Sequence, residues 1–574
     1  MRIRLTSPPA CRARGHVLFQ TMVYSGILGI ACYALLQMSE IRVRSSHQRW
    51  DYNEAFYHAE NALNWGVQRL ADVASPNGNF KLTDGTLALD YFRTLTNGGA
   101  SYLEDVWLTI TNHPSGVANL FLLSASAKVG NKVRTLQVAV QRDPPSQVFD
   151  YEYFLNNWGW WWGSSITGNG DNRANWDFDF RDRPTVNGSV IATGDIESNG
   201  TPIDPLSGTV PLAGLAGSDP VAYVHDGTPR LPMPNLKNFS DYASLAIRKG
   251  GTLHLGTNLL VNAVHTNLLT PGMYLVGTTS APVVINGPVV IPGDVVLKGV
   301  ISGIGTLYVG GNLYVAGNVT YLNGPDFSTP PELMTGANRD RWVRDNVAAG
   351  KDLVAFAVRE SVFGGDVTST EWINRCYNPS GYGLRWVGAE RNLGADGIPG
   401  TPDDGLLYLD TTGDGRPDSA WYDADGDGMV DVAYNYGQDI EMTASRAMRI
   451  LGFPRDGLGA PAAYGTLASN NFNRLDGVFY CNHAIAIRST RSGFVANGAL
   501  ICRDEAIVFT GNLKFNYDSR IHSRYSGDPN RFVDLGLPVA NKVSITSMVE
   551  AAPVAGFYSG VYSGSRYGHM GVAH

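Results

Sequence analysis

Seven aspartates (Asp410, Asp414, Asp418, Asp423, Asp425, Asp427 and Asp431) fall within 22 residues, with Arg416 the one cation nearby. Residues 423–431 read D-x-D-x-D-G-x-x-D, and 410–418 repeat the frame with Thr412 at the second position. Alternate carboxylates on a tight glycine turn present hard oxygen ligands to one point, the chemistry that suits calcium. Asp396, Asp403 and Asp404 lie just upstream and could add ligands. A solvated acidic turn is the alternative. Calcium is the favoured reading, because carboxylates this dense repel one another unless a cation neutralises them.

Other residue groups carry weaker chemistry. Arg503, Asp504 and Glu505 form a polar cluster beside the apolar ALIC segment, which a charged corner explains equally well. Trp158, Trp160, Trp161 and Trp162 suit either carbohydrate stacking or a structural cap at the start of the β-rich body, and the cap is preferred. Cys481 and Cys502 each sit in an apolar strand-like segment. Were those strands stacked one turn apart, the α-carbons would lie about 4.8 Å from each other, within disulfide range. The chain holds no G-x-S-x-G, H-E-x-x-H or P-loop pattern, and the expectation is a protein without catalysis.

These residues need a scaffold, and composition points to a β-rich one. Glycine accounts for 66 of 574 residues, well above the usual share of about 7%, which implies many tight turns. Charged residues are only 17%, which excludes a disordered or coiled-coil chain. A net charge of −8 argues against a general nucleic-acid binder. The sharpest repeat is a glycine every six residues: Gly287, Gly293, Gly299, Gly305, Gly311 and Gly317. Two places after each stands Val289, Val295, Ile301, Leu307, Leu313 or Val319. G-x-V-x-V-x units make short strands with alternate residues inward, and three hexads per coil predict a parallel β-helix. An antiparallel meander is the other solution, disfavoured because the run lacks Asn-Gly or Asp-Gly turns. The position just after each glycine, as at Thr306 and Asn312, is expected to face solvent.

At the N-terminus, residues 17–38 are an apolar run preceded by Arg2, Arg4, Arg12 and Arg14. The run is long enough to cross a bilayer as a helix, and the arginine flank predicts a cytoplasmic start with the body exported. A cleaved secretory signal is the alternative. Beyond it, Ala55, Phe56, Ala59, Ala62, Leu63, Gly66, Val67 and Leu70 recur at helical spacing. The segment 121–140 carries Gly130-Asn131 between alternating apolar stretches, a hairpin signal.

A basic leader ending in glycine, an apolar helix, the AFYHAENALNWGVQRL segment at 55–70 and the 121–140 strand–turn–strand resemble the type IV pilin superfamily, in particular PilX-like minor pilins. The resemblance covers roughly the first 140 residues. It implies leader cleavage between Gly15 and His16, where the family usually has Phe after the glycine. Gln20 stands where the family carries the glutamate that neutralises a neighbour's N-terminal amine. The hexads resemble bactofilin-like repeats in pattern. The acidic frames resemble dockerin and thrombospondin type 3 loops, without the bidentate glutamate of an EF-hand, since Tyr434 occupies that place.

The expected fold is therefore mainly β: a long N-terminal helix, transmembrane then amphipathic, a small pilin-like sheet, and a large parallel β-helix with an inserted calcium-loop region. The expected partition is a basic leader (1–16), the helix (17–72), the small sheet (73–145), a Trp-rich cap and β-helix (146–367), the acidic insertion (368–474), a β-helix continuation (475–535) and a Gly/Ser/Tyr tail (536–574). The resemblance implies a minor pilin or pseudopilin at the bacterial inner membrane, its body exported to the periplasm or cell surface. Its partners would be other pilins and the assembly machinery. A signal-anchored β-helix protein that binds or cleaves polysaccharide is the alternative function.

Overall fold

The computed structural model describes residues 13–73, 76–82, 103–116, 119–130, 132–156, 158–207, 210–236, 239–267, 272–377, 406–409, 419–422, 461–482, 484–503, 506–526, 528–540 and 542–551. The chain divides into two compact units, Met1–Asp143 with Lys542–His574, and Pro144–Asn541.

The first unit is one helix and one sheet. Helix α1 spans Ala13–Asp72, 60 residues without a proline, about 90 Å at 1.5 Å per residue. Its stripe Ala55, Ala59, Ala62, Leu63 and Leu70 is buried against the sheet. That sheet runs β1 (Gly78–Lys81), β2 (Leu103–Asn112), β3 (Leu120–Val129), β4 (Lys132–Arg142), then the strand Val543–Ala551, all antiparallel. Small residues on the helix let it approach closely. A Cβ at Gly66 would stand 2.8 Å from Leu108 Cδ2 and 2.9 Å from Leu123 Cδ2. Gly66→Leu is accordingly expected to cost this unit about 1–3 kcal/mol by overpacking, read as a lower melting midpoint, whereas Gly66→Ala needs only a small leucine shift. Gly130 has φ +54°, the left-handed backbone that the Gly130-Asn131 hairpin requires.

Within 536–574, read from sequence as a Gly/Ser/Tyr tail, the structure holds the strand Val543–Ala551. It pairs with β4, with Val543 opposite Arg142 and Ala551 opposite Thr135. Its β-branched residues favour a strand, but its partner lies some 400 residues earlier, a pairing that leaves no local signature.

The second unit is built on a 21-stranded sheet, counted among the described residues, whose pairings are mostly parallel. Val289 pairs with Leu307 and Val295 with Leu313, three hexads apart. The same offset joins Thr167 to Thr185, Asn172 to Val190 and Phe178 to Ile196. The hexad aliphatics Val289, Val295, Ile301, Leu307, Leu313 and Val319 are all fully buried in one core. An antiparallel pairing occurs before the run, where Thr252–Leu255 sits between Asn258–Asn262 and Val283–Asn286.

After the hexad run the ladder is interrupted by two excursions. Leu307 pairs with Phe356, and between them the chain leaves to form the helix Gly336–Ala348, inside the range 146–367 expected as cap and β-helix. Ala355 then pairs with Val478, so the ladder resumes after the excursion that carries the acidic frames. The last strands also meet the first: Leu500–Cys502 pair with Tyr153–Leu155, and Leu513–Asn516 with Ile166–Asn169.

The outward positions differ from expectation. Thr306 is fully buried and donates from Oγ1 to the Leu535 carbonyl at 2.9 Å. Asn312 is 3% exposed, and its backbone N–H reaches Asp294 Oδ1 at 2.7 Å. Segments outside the ladder cover these faces: Leu236, Tyr242, Ala246 and Leu535 pack with Tyr308, while Trp372, Cys376 and Tyr464 pack with Tyr314 and Phe363.

Candidate functional site

The two halves of α1 have opposite surroundings. Residues 19–50 are exposed throughout, including Phe19, Ile27, Leu28, Ile30, Tyr33, Leu35 and Leu36. The most apolar 18-residue window is unburied and hydropathic enough to cross a membrane. In water such a surface is costly, at about 25 cal/mol for each Å² of apolar area, so it needs a bilayer or other apolar helices around it. The second half of α1 is held by its own sheet. Gln20 lies on the exposed half. Gly15 and His16 fall within α1, but their side chains are outside the described residues.

Asp410, Asp414, Asp418, Asp423, Asp425, Asp427 and Asp431 also lie outside the described residues, as do Asp396, Asp403, Asp404, Asp504 and Glu505. Segment 410–418 links an antiparallel pair, Leu406–Leu409 with Ser419–Tyr422. Among the described residues, no group of three or more His, Cys, Asp or Glu side chains is placed to hold a metal ion.

Cys481 and Cys502 are register partners on adjacent parallel strands, both fully buried in the ladder core. The tryptophans separate by strand alternation. Trp161 points into the core and stacks on Phe515 at 5.6 Å, while Trp158, Trp160 and Trp162 are half-buried. Trp162 Nε1 donates to Asp179 Oδ2 at 3.2 Å, and the Arg181 guanidinium lies 3.8 Å from its ring centroid.

Sequence reading missed a polar seam where the last strands meet the first. Buried and half-buried amides form a ladder across it. Asn187 donates to Asn169 at 2.9 Å, Asn169 to Asn516 at 2.9 Å, Asn516 to Asn497 at 2.7 Å, and Asn497 to Asp476 at 2.7 Å. The 18-residue spacing of Asn169 and Asn187 was the available signal. Beside the ladder Glu152 is fully buried. Its Oε1 accepts from Asn172 at 2.9 Å, and Oε2 has no hydrogen-bond partner. Burial pushes its pKa up to about 8, with the Asp171 and Glu332 charges adding to the rise. Asp150 nearby accepts from Ser523 N and Oγ, each at 2.6 Å, and faces His522 Nδ1 at 3.1 Å. Glu332 accepts from Ser519 Oγ at 2.6 Å and Arg524 at 3.1 Å.

Glu152 has a folded pKa above its unfolded value of 4.5, so the folded state keeps a proton that the unfolded state releases. Stability of the second unit should therefore fall as pH rises from about 4.5 to about 8 and level off above. Glu152→Gln removes that dependence and is expected to stabilise the unit by about 3 kcal/mol at pH 7, measured by denaturant unfolding at pH 5 and 7. An unchanged pH slope in the variant would show that Glu152 ionises normally.

No family model matches the chain, and no curated protein matches it. Among solved structures, the competence-associated pilin ComZ from Thermus thermophilus aligns over 87% of this chain and 97% of its own, at 11% identity and a TM-score of 0.26. A score that low does not establish a shared fold.

Proposed function

We propose that the chain is a membrane-anchored, exported pilin-like protein, a PilX-type minor pilin or pseudopilin, that presents a β-helical body for pilus assembly or surface adhesion. The observation that carries this reading is α1 itself: one helix, bare and apolar through its first half, sealed onto a small antiparallel sheet through its second. Such a helix can anchor in the bilayer and later pack with other apolar helices in a filament. The parallel ladder with its 18-residue register supports reading the second unit as β-helix coils, and its role is binding rather than catalysis.

The test is topology and recovery. Protease outside spheroplasts should digest everything beyond about residue 40, and the full chain should appear in the sheared filament fraction. A protease-protected body overturns export, and absence from sheared filaments overturns the pilus role. A second reading, a surface-anchored polysaccharide binder, is favoured by the partly exposed indoles of Trp158, Trp160 and Trp162.

Calcium binding by the acidic frames is part of the proposal and rests on their spacing. Residues 410–431 should resist proteolysis in calcium and be cut in chelator, and Asp423→Ala with Asp427→Ala should abolish the protection. Equal cutting of the wild type in both conditions counts against a metal.

A further inference from the structure

Just beyond the apolar run, α1 and the start of β4 flank an open groove of about 310 Å³ lined by Ser45, Gln48, Arg49, Tyr52, Asn53 and Lys132. Arg42, Ser45, Arg49 and Tyr52 lie at i, i+3, i+7 and i+10, one helical stripe. The same stripe continues as Ala55 and Ala59, where it packs on the sheet. The groove is therefore the place where the sheet ends and the helix goes on alone. The β3–β4 turn overhangs it: a Cβ at Gly130 would stand 3.0 Å from Asp51 Oδ2.

The charges here are not all equivalent. Arg44 pairs with Glu40, and Arg134 pairs with Glu550 while lying 3.6 Å from the Tyr52 ring centroid. Among the described residues, no carboxylate pairs with Arg49 or Lys132. A guanidinium fork on the helix and an ammonium on β4, with serine, glutamine and asparagine also in the lining, suit the oxygens of a phosphodiester. Depth selects the source of that phosphate. Residues 42–49 lie about 6–16 Å along the helix past Met38, at the level of headgroups and the charged layer above them. Trp50 and Tyr52 are exposed there, as side chains at a membrane interface are.

We propose that this groove binds the headgroup of an anionic phospholipid of the phosphatidylglycerol class, in the leaflet on the exported side. It would fix the depth of α1 before the helix leaves the bilayer. The proposal rests on the membrane-anchored reading above. One exposed and one half-buried cation hold a free phosphate weakly, whereas a bilayer supplies the same group at high local concentration beside the site.

The test uses the full chain in flotation with phosphatidylglycerol or phosphatidylcholine vesicles, and native mass spectrometry of the lipid retained in detergent. Wild type should prefer phosphatidylglycerol. Arg49→Gln with Lys132→Gln should lower that preference roughly thirtyfold while the protein still floats with both vesicles. Arg344→Gln, on a surface helix of the other unit, should change nothing. An unchanged preference in the double variant, or displacement of the lipid by millimolar inorganic phosphate, overturns the headgroup site. Failure of wild type to float with either vesicle overturns the anchoring reading instead.

Discussion

Replacing Ile27 and Ile30 together by aspartate should move the full chain from the membrane fraction to the soluble one. Both side chains are exposed on α1, at 58% and 73%, near the middle of the apolar run. Each aspartate at the centre of a spanning helix costs about 2.5–3.5 kcal/mol, so the pair costs roughly 6 kcal/mol. That corresponds to more than a ten-thousandfold loss in partition. The body should be unaffected, because none of this window is buried against the rest of the protein. Circular dichroism and the melting midpoint should therefore match wild type. A variant that stays membrane-bound after carbonate extraction would refute anchoring through α1.

Sequence was most informative where burial repeats at a short period. The alanines at 55, 59 and 62 lie on one face of α1, and helical spacing alone picks them out. The six-residue glycine frame locates Val289 to Val319 in the core for the same reason. Three features were illegible because their causes are non-local. Strand Val543–Ala551 joins the first sheet across most of the chain. Tyr153–Leu155 sits on Leu500–Cys502, so the beginning of the second unit completes its end. Thr306 and Asn312 look like solvent positions in the hexad frame, yet Thr306 lies under Leu535 and Asn312 is bonded to Asp294 and Ser361 on the neighbouring turns of the ladder. A period states which way a side chain points; it does not state what comes to lie on top. The candidate site divides along the same line. The bare apolar half of α1 is visible as composition, whereas Glu152 becomes notable only when Asn172, Gly168 and Gly170 close around it.

That distinction sets the largest expected effect on stability. Leu313 and Leu259 are the same residue type, both on strands of the second unit. Leu313 is fully buried, between Val295 on one neighbouring strand and Val362 on the other. Leu259 is 55% exposed. Leu313→Asp forfeits about 1.5–3 kcal/mol of apolar burial and places a carboxyl where no partner exists, several kcal/mol more. Against a total stability of about 5–15 kcal/mol, this should abolish cooperative melting of the second unit. Leu259→Asp should shift stability by no more than about 0.5 kcal/mol. Thr306→Asp belongs with the damaging group, because it removes the donor to Leu535 and buries a charge in its place. Thr306→Ser keeps the donor and should melt near wild type. If Leu259→Asp and Leu313→Asp lowered the midpoint equally, the inward register of the hexads would be wrong. If Thr306→Asp were harmless, the covering segment at Leu535 would be the part that yields, and the ladder would stand without it.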